Sequence, residues 1–231
     1  IKNDKYIGFV ADYMALIENK IKKPIRVVET SSWKESLDFI RTGKCDLLPS
    51  AVWNKQRDDE FSFTKPYLNI PFVLMTKSSN SFIDNLSSLK NKRISIIENY
   101  AILNILKNKY KEVEFVEVKD IDEGLNKVLN GETYGHIDAV FTAWHKLQTK
   151  YLTKISITAK LNENVDISIA TIHDNVLYSI LQKAVLSIDD YAKNDLLNRW
   201  TFTEYKKDFD YSILWKTAIF ILIIFIAILY R

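Results

Sequence analysis

Apolar and polar residues along this chain follow two periods in turn, and the switch between them recurs from end to end. Tyr13, Leu16, Ile17 and Ile21 share one face of a helix predicted over Ala11 to Ile21. Pro24 follows, and Ile25 to Val28 reads as a strand. Ser32-Trp33-Lys34-Glu35 has the form of a capping box and places a helix start at Ser32. That helix turns Leu37 and Ile40 inward and stops at Gly43. Asp46 to Ala51 reads as a short buried strand, with further strands at Phe61 to Phe63 and Phe72 to Thr76, broken by Pro66 and Pro71. After the polar stretch Lys77 to Ser81 the pattern restarts. Strands are predicted at Arg93 to Ile97, Val113 to Val118, Asp138 to Thr142 and Ile167 to Thr171. Helices are predicted at Ala101 to Tyr110, from Asp120–Glu123 to near Gly131, at Trp144 to Tyr151, at Val176 to Ser187 and at Asp189 to Trp200.

The order repeats. Trp33, Leu37, Ile40 and Gly43 lead to Asp46-Leu47-Leu48, and Leu125, Val128 and Gly131 lead to Asp138-Ala139-Val140-Phe141, with four more residues between glycine and aspartate. Two similar α/β lobes follow from this echo. Ligands of open α/β sheets bind at the carboxyl ends of strands, so two facing lobes share one cleft.

The tail has another character. Ala218 to Tyr230 carries no charge, glycine or proline, and with the flank back to Tyr211 it is long enough to cross a hydrocarbon core of about 30 Å as one helix. Trp215 and Tyr230 sit near its ends, as interfacial aromatics do. Both chain ends read as cut from something longer, with an output domain expected beyond Arg231.

Composition removes other classes. The net charge of +3 includes no basic run longer than Lys22-Lys23 or Lys206-Lys207, so no nucleic-acid footprint is present. The lone Cys45 excludes an internal disulfide and a cysteine metal site. His136, His145 and His173 show no metal-ligand spacing, and no cofactor is implied. Neither paired carboxylates nor a Ser-His-Asp or Cys-His arrangement assigns a catalytic residue.

Trp33 to Leu68 reads WKESLDFIRTGKCDLLPSAVWNKQRDDEFSFTKPYL and resembles the bacterial extracellular solute-binding proteins of family 3, the amino-acid-binding type. Tyr6-Ile7-Gly8-Phe9 with Asp12, Leu89 to Ile94, Glu123-Gly124-Leu125 with Gly131 and Asp138, and Leu177 to Trp200 fall in the family's order. The resemblance implies a two-lobed α/β Venus-flytrap fold followed by one C-terminal transmembrane helix. Lobe 1 is expected at residues 1–76 and 172–205, lobe 2 at 77–171, a linker at 206–211 and the membrane helix at 212–231. Hinges are expected near Thr76 to Ser78 and Ile169 to Ile172. A lobe pair leading into a membrane helix resembles the periplasmic sensor of a transmembrane histidine kinase or diguanylate cyclase. Residues 1–210 would lie in the periplasm, anchored in the inner membrane by Ser212 to Tyr230, as a homodimer. The alternatives are a membrane-tethered substrate-binding protein of a transporter and, more remotely, a dehydratase or a transglycosylase-associated domain with Glu98 as its acid or base.

The resemblance also implies a site. Arg57 would fork onto a ligand carboxylate, in a geometry that lysine cannot copy. Ser50, Trp53 and Asn54 flank the preceding strand end, and Trp33 stands at a helix start, as core or cleft rim. Glu98, Asn99, Tyr100 and Thr142 are the candidates from lobe 2. The aspartate that holds an amino acid's ammonium in this family would fall at Ala143, which weighs against a plain α-amino acid; the expected ligand is a small molecule, amino-acid-like or another carboxylate.

Overall fold

Two long strands tie the rest of the chain together in the computed structural model, which describes residues 6–173 and 175–201. β3 (Leu68–Lys77) and β7 (Ile155–Ile172) pair antiparallel from Leu68 opposite Ile167 to Lys77 opposite Ile155. At one end β7 also pairs with β1 (Leu47–Val52) and β2 (Phe61–Phe63). At the other end β3 pairs with β6 (Gly135–Ala139), which runs parallel to β4 (Arg93–Ile97), itself parallel to β5 (Glu114–Val118). The sheet order is therefore β1-β7-β3-β6-β4-β5, with β2 on β7. Its two ends form the two lobes, joined through β3 and β7.

Helices α1 (Phe9–Ile21), α2 (Trp33–Arg41), α3 (Lys55–Asp58), α7 (Asn175–Ser187) and α8 (Asp190–Thr201) belong to the β1 end. Helices α4 (Ala101–Lys109), α5 (Ile121–Asn130) and α6 (Val140–Lys146) belong to the other, with α4 and α5 making the crossovers between parallel strands. Fully buried Tyr13 and Ile17 bring α1 into the main core, where the Tyr13 ring stacks on Tyr67 at 3.9 Å. A second cluster, including Met75, Leu125, Val128 and Ala143, fills the space between the sheet and α5 and α6.

Several predicted elements change. Ile25 to Val28 forms no strand. The strand β3 runs through Pro71, and its pairing with β7 shifts register between Pro71 and Val73, which accommodates a residue with no N–H. The strand expected at Asp138 to Thr142 ends at Ala139, and Val140 already starts α6. Gly135 lets β6 lie close to β3, because a side-chain carbon there would come within 2.9 Å of the Met75 carbonyl. The predicted helix Trp144 to Tyr151 is α6 followed by a π-helical turn, Leu147–Tyr151. The expected linker and membrane helix lie outside the described residues, and among those described no helix is long and apolar enough to cross a membrane.

Candidate functional site

Between the lobes lies a cavity of about 660 Å³. β1 delivers Ser50 and Val52 to it, and the short helix α3 delivers Arg57. Asn54 caps that helix, accepting a hydrogen bond from the Arg57 backbone N–H at 2.9 Å. This cap fixes the turn from which the Arg57 side chain extends inward. The residue is 7% exposed, and among the described residues its guanidinium has no carboxylate partner. It donates instead to the Val52 carbonyl at 3.0 Å and to the Asn99 carbonyl across the cleft. Burial and the nearby Arg41 charge hold its pKa below the ordinary value, with Glu60 opposing.

The other wall is built by the turn after β4 and by α6. Asn99 has a left-handed backbone (φ 61°), which asparagine tolerates and which turns its carbonyl outward. Trp33 Nε1 donates to the same carbonyl at 3.3 Å, and the Arg57 guanidinium lies 5.6 Å from the Trp33 ring centroid. One lobe 2 carbonyl is thus held by two lobe 1 side chains. Tyr100 lines the cavity and packs edge-on against Phe72. Burial, and then the charge of Asp138, push its phenol well above the ordinary value. Thr142, His145 and Thr149 reach the cavity from one face of α6 and the π-helical turn. The remaining wall is apolar and aromatic, with Phe9, Ile70, Phe141 and Trp200 among its members, and among the described residues it contains no aspartate, glutamate or lysine.

Of the nine residues singled out in the sequence, Trp33, Ser50, Arg57, Tyr100 and Thr142 meet at this cavity. Asn99 takes part through its carbonyl, and Asn54 through its cap on α3. Trp53 turns to solvent, donating to Asp58 at 2.8 Å. Glu98 is not among the residues that line the cavity.

Sequence reasoning missed His145, Thr149 and Trp200. The first two were legible as the i, i+3, i+7 companions of Thr142 on a helix face. Trp200 was not, because it reaches the cavity from α8 by packing on the distant core and α1, where its Nε1 donates to Asp12 Oδ2 at 3.0 Å. A Ser-His-Asp cluster also went unseen. Ser95 Oγ lies 3.0 Å from His136 Nδ1, and His136 Nε2 lies 3.7 Å from Asp138 Oδ2. All three residues are fully buried, so no substrate can reach the serine.

The comparisons with known proteins fit this geometry. The virulence sensor protein BvgS of Bordetella pertussis is 21% identical over 200 residues, covering 86% of this chain and 16% of BvgS. The crystal structure of its periplasmic VFT2 domain superposes with a TM-score of 0.79 at 21% identity, over 87% of this chain and 86% of that one. An ancestral arginine-binding protein bound to arginine gives 0.76 at 18% identity, over 87% and 90%. These likenesses establish the two-lobed Venus-flytrap fold. The match to the bacterial extracellular solute-binding proteins, family 3, runs over residues 1–202, the whole of the cavity and both lobes, and the chain belongs to that family.

Proposed function

We propose that this chain is the periplasmic ligand-sensing part of a membrane-bound signalling receptor. Its cleft takes a small solute with one carboxylate and an apolar body. The observation that carries this reading is Arg57, a buried guanidinium on the cavity wall with no carboxylate among the described residues in ion-pair contact with it. Desolvating an unpaired cation is costly, and an anionic ligand relieves that cost. Two of its five N–H groups are engaged by the Val52 and Asn99 carbonyls, so three remain for a carboxylate. The aromatic and aliphatic wall suits the ligand's body, and Thr142, His145 and Thr149 offer polar contacts at the far side. With no acid in the lining among the described residues and with Ala143 fully buried, none of those residues replaces the ammonium partner of an amino acid.

Closure would bend the sheet where its partners change, around Leu68–Pro71 of β3 and Asn164–Ile167 of β7, several residues before the hinges expected from the sequence at Thr76 to Ser78 and Ile169 to Ile172. Signal transfer would run through α8, because Trp200 both lines the cavity and donates to Asp12 on α1. A ligand touching Trp200 therefore bears on the helix that leads toward the apolar segment at 212–231, which would cross the membrane and place a dimer's two helices side by side. A ligand signals only through a difference in affinity between lobe arrangements.

The test is a thermal-shift screen of the full chain with apolar monocarboxylates and their α-amino counterparts. Stabilisation by mass action is expected from the former and not the latter. Arg57→Ala should weaken binding by about 100-fold or more, and Arg57→Lys should not restore it. Equal binding of both compound classes, or full affinity in Arg57→Ala, would refute the reading.

A further inference from the structure

A second concavity lies at the opposite pole of lobe 2. The carboxyl ends of β4 and β6 face the interlobe cleft, so Arg93 and Gly135, where these parallel strands begin, mark the far side. There, at the end of β3, a concavity of about 360 Å³ is lined by Lys77, Asn80, Lys92, Arg93, Glu132 and Thr133, among others. Its charges do not cancel. Arg93 donates to Glu114 at 3.0 Å, and Glu132 accepts from Lys127 at 3.0 Å and from Asn130 at 3.1 Å. These pairs leave Lys77 and Lys92 with no carboxylate in ion-pair contact among the described residues. Lys92 Nζ stands over the Tyr134 ring, 5.5 Å from its centroid. Left-handed Gly131 (φ 78°) borders the same space, with Lys77 Nζ 3.9 Å from where a side-chain carbon on it would sit.

An independent observation points the same way. Thr133 is 4% exposed, and its hydroxyl has no hydrogen-bond partner among the described residues. A buried hydroxyl without a partner is uncommon, and a missing ligand is one cause. Two uncompensated ammonium groups, the amide of Asn80 and this hydroxyl form a donor set with a surplus of two positive charges. Lysines offer rotatable point charges that suit a tetrahedral anion better than a planar one. We propose that this concavity is a second, anion-binding site, separate from the interlobe cleft, that takes a doubly charged tetrahedral oxyanion of the inorganic phosphate type.

The experiment is calorimetric titration of the full chain with inorganic phosphate, with chloride at matched ionic strength as the reference. Saturable one-to-one binding is expected, at least tenfold weaker in a Lys77→Gln/Lys92→Gln variant and unchanged in Arg57→Ala. Amide chemical-shift changes should centre on Asn80, on Asn91 to Arg93 and on Gly131 to Tyr134. No saturable heat, an equal response to chloride, or shifts centred on the cleft and lost in Arg57→Ala would overturn the proposal. Both lysines lie at the surface of the concavity, and the shift map of the unaltered chain decides the matter even if the double variant is unstable.

Discussion

The segments Ser32 to Arg57 and Asp120 to His145 are two renderings of one design, 88 residues apart throughout. Ser32 caps α2 by accepting from Glu35 N–H at 3.1 Å, and Asp120 caps α5 by accepting from Glu123 N–H at 2.8 Å. In each copy the glutamate reaches back to the N–H of the residue before the cap, Ser31 in one and Lys119 in the other. Left-handed Gly43 and Gly131 follow the helices, and β1 and β6 begin at Leu47 and Gly135. Each strand pairs antiparallel with a crossing strand, β1 with β7 and β6 with β3. The copies part where they reach the cleft. Arg57 in the first stands where the second has His145; Ser50, at the cavity, corresponds to Asp138, sealed beneath it. The scaffold is duplicated and the chemistry is not: one lobe brings the permanent cation, the other brings carbonyls and hydroxyls.

The largest effect should come from forcing the second copy to carry a charge. Ala143 belongs to the apolar cluster of Met75, Leu125 and Leu147 and is fully buried. Ala143→Asp should lower unfolding free energy by about 4 kcal/mol, as for other unpaired buried charges. Urea denaturation would measure it. A near-neutral result would mean that the helix can rotate this position into the cleft, and the argument against an amino-acid ligand would fail.

Next comes a position where the copies differ by one side chain. Ser36 in α2 corresponds to Gly124 in α5. A side-chain carbon on Gly124 would lie 2.2 Å from His136 Nδ1, inside the buried Ser95–His136–Asp138 cluster. Gly124→Ala should therefore cost about 3 kcal/mol by overpacking, whereas Ser36→Ala should cost well under 1 kcal/mol. Equal costs would mean that the His136 ring can yield.

The repeat also explains what was readable. Caps, glycine stops and the strands Phe61–Phe63 and Arg93–Ile97 rest on local chemistry, and each stands where the pattern places it. The ungapped alignment of the two copies was missed because Asp46 and Asp138 look equivalent in sequence, although the equivalent strand starts are Leu47 and Gly135. β-branched and aromatic Val140-Phe141-Thr142 reads as strand by propensity, yet tertiary packing makes it the first turn of α6. Only the end of β7 was legible, since Lys160, Asn162 and Asn164 interrupt its apolar run even though their side chains alternate outward on a strand. At the site, Arg57 and Tyr100 were found through motif position. Trp200 reaches the cavity by long-range docking that no local spacing encodes, whereas His145 follows from the helix face it shares with Thr142.

A smaller and symmetric effect is expected at the caps. Ser32→Ala and Asp120→Ala each remove one acceptor from an otherwise unpaired helix N–H, and each should cost about 1 kcal/mol. Thermal unfolding of the two variants compares them directly. A large inequality would show that the shared geometry hides unequal packing behind the two helices.

The smallest effect separates the copies by pH. Position 122 is an aspartate where the first copy has Lys34. Burial raises the Asp122 pKa, but Lys146 Nζ at 2.5 Å, Lys150 Nζ at 3.2 Å and the Tyr151 hydroxyl at 3.1 Å outweigh it and hold the carboxyl below its ordinary value of 3.8. A folded-state pKa below the unfolded one gives stability that is present above the unfolded value and lost as pH falls through the folded one. The clasp between α5 and the π-helical turn should therefore weaken below about pH 4, while the matching helix of lobe 1 carries Lys34 at that position and ties itself instead through Arg41 and Glu60 at 2.7 Å. Asp122 is 36% exposed, so screening keeps its contribution below about 1 kcal/mol. Amide hydrogen exchange between pH 5 and pH 3, corrected for intrinsic rates, should show protection in Leu147–Tyr151 falling in the unaltered chain and already low in Asp122→Asn. The same acid-dependent loss in Asp122→Asn would move the pH response to other carboxylates and leave Asp122 a passive surface group.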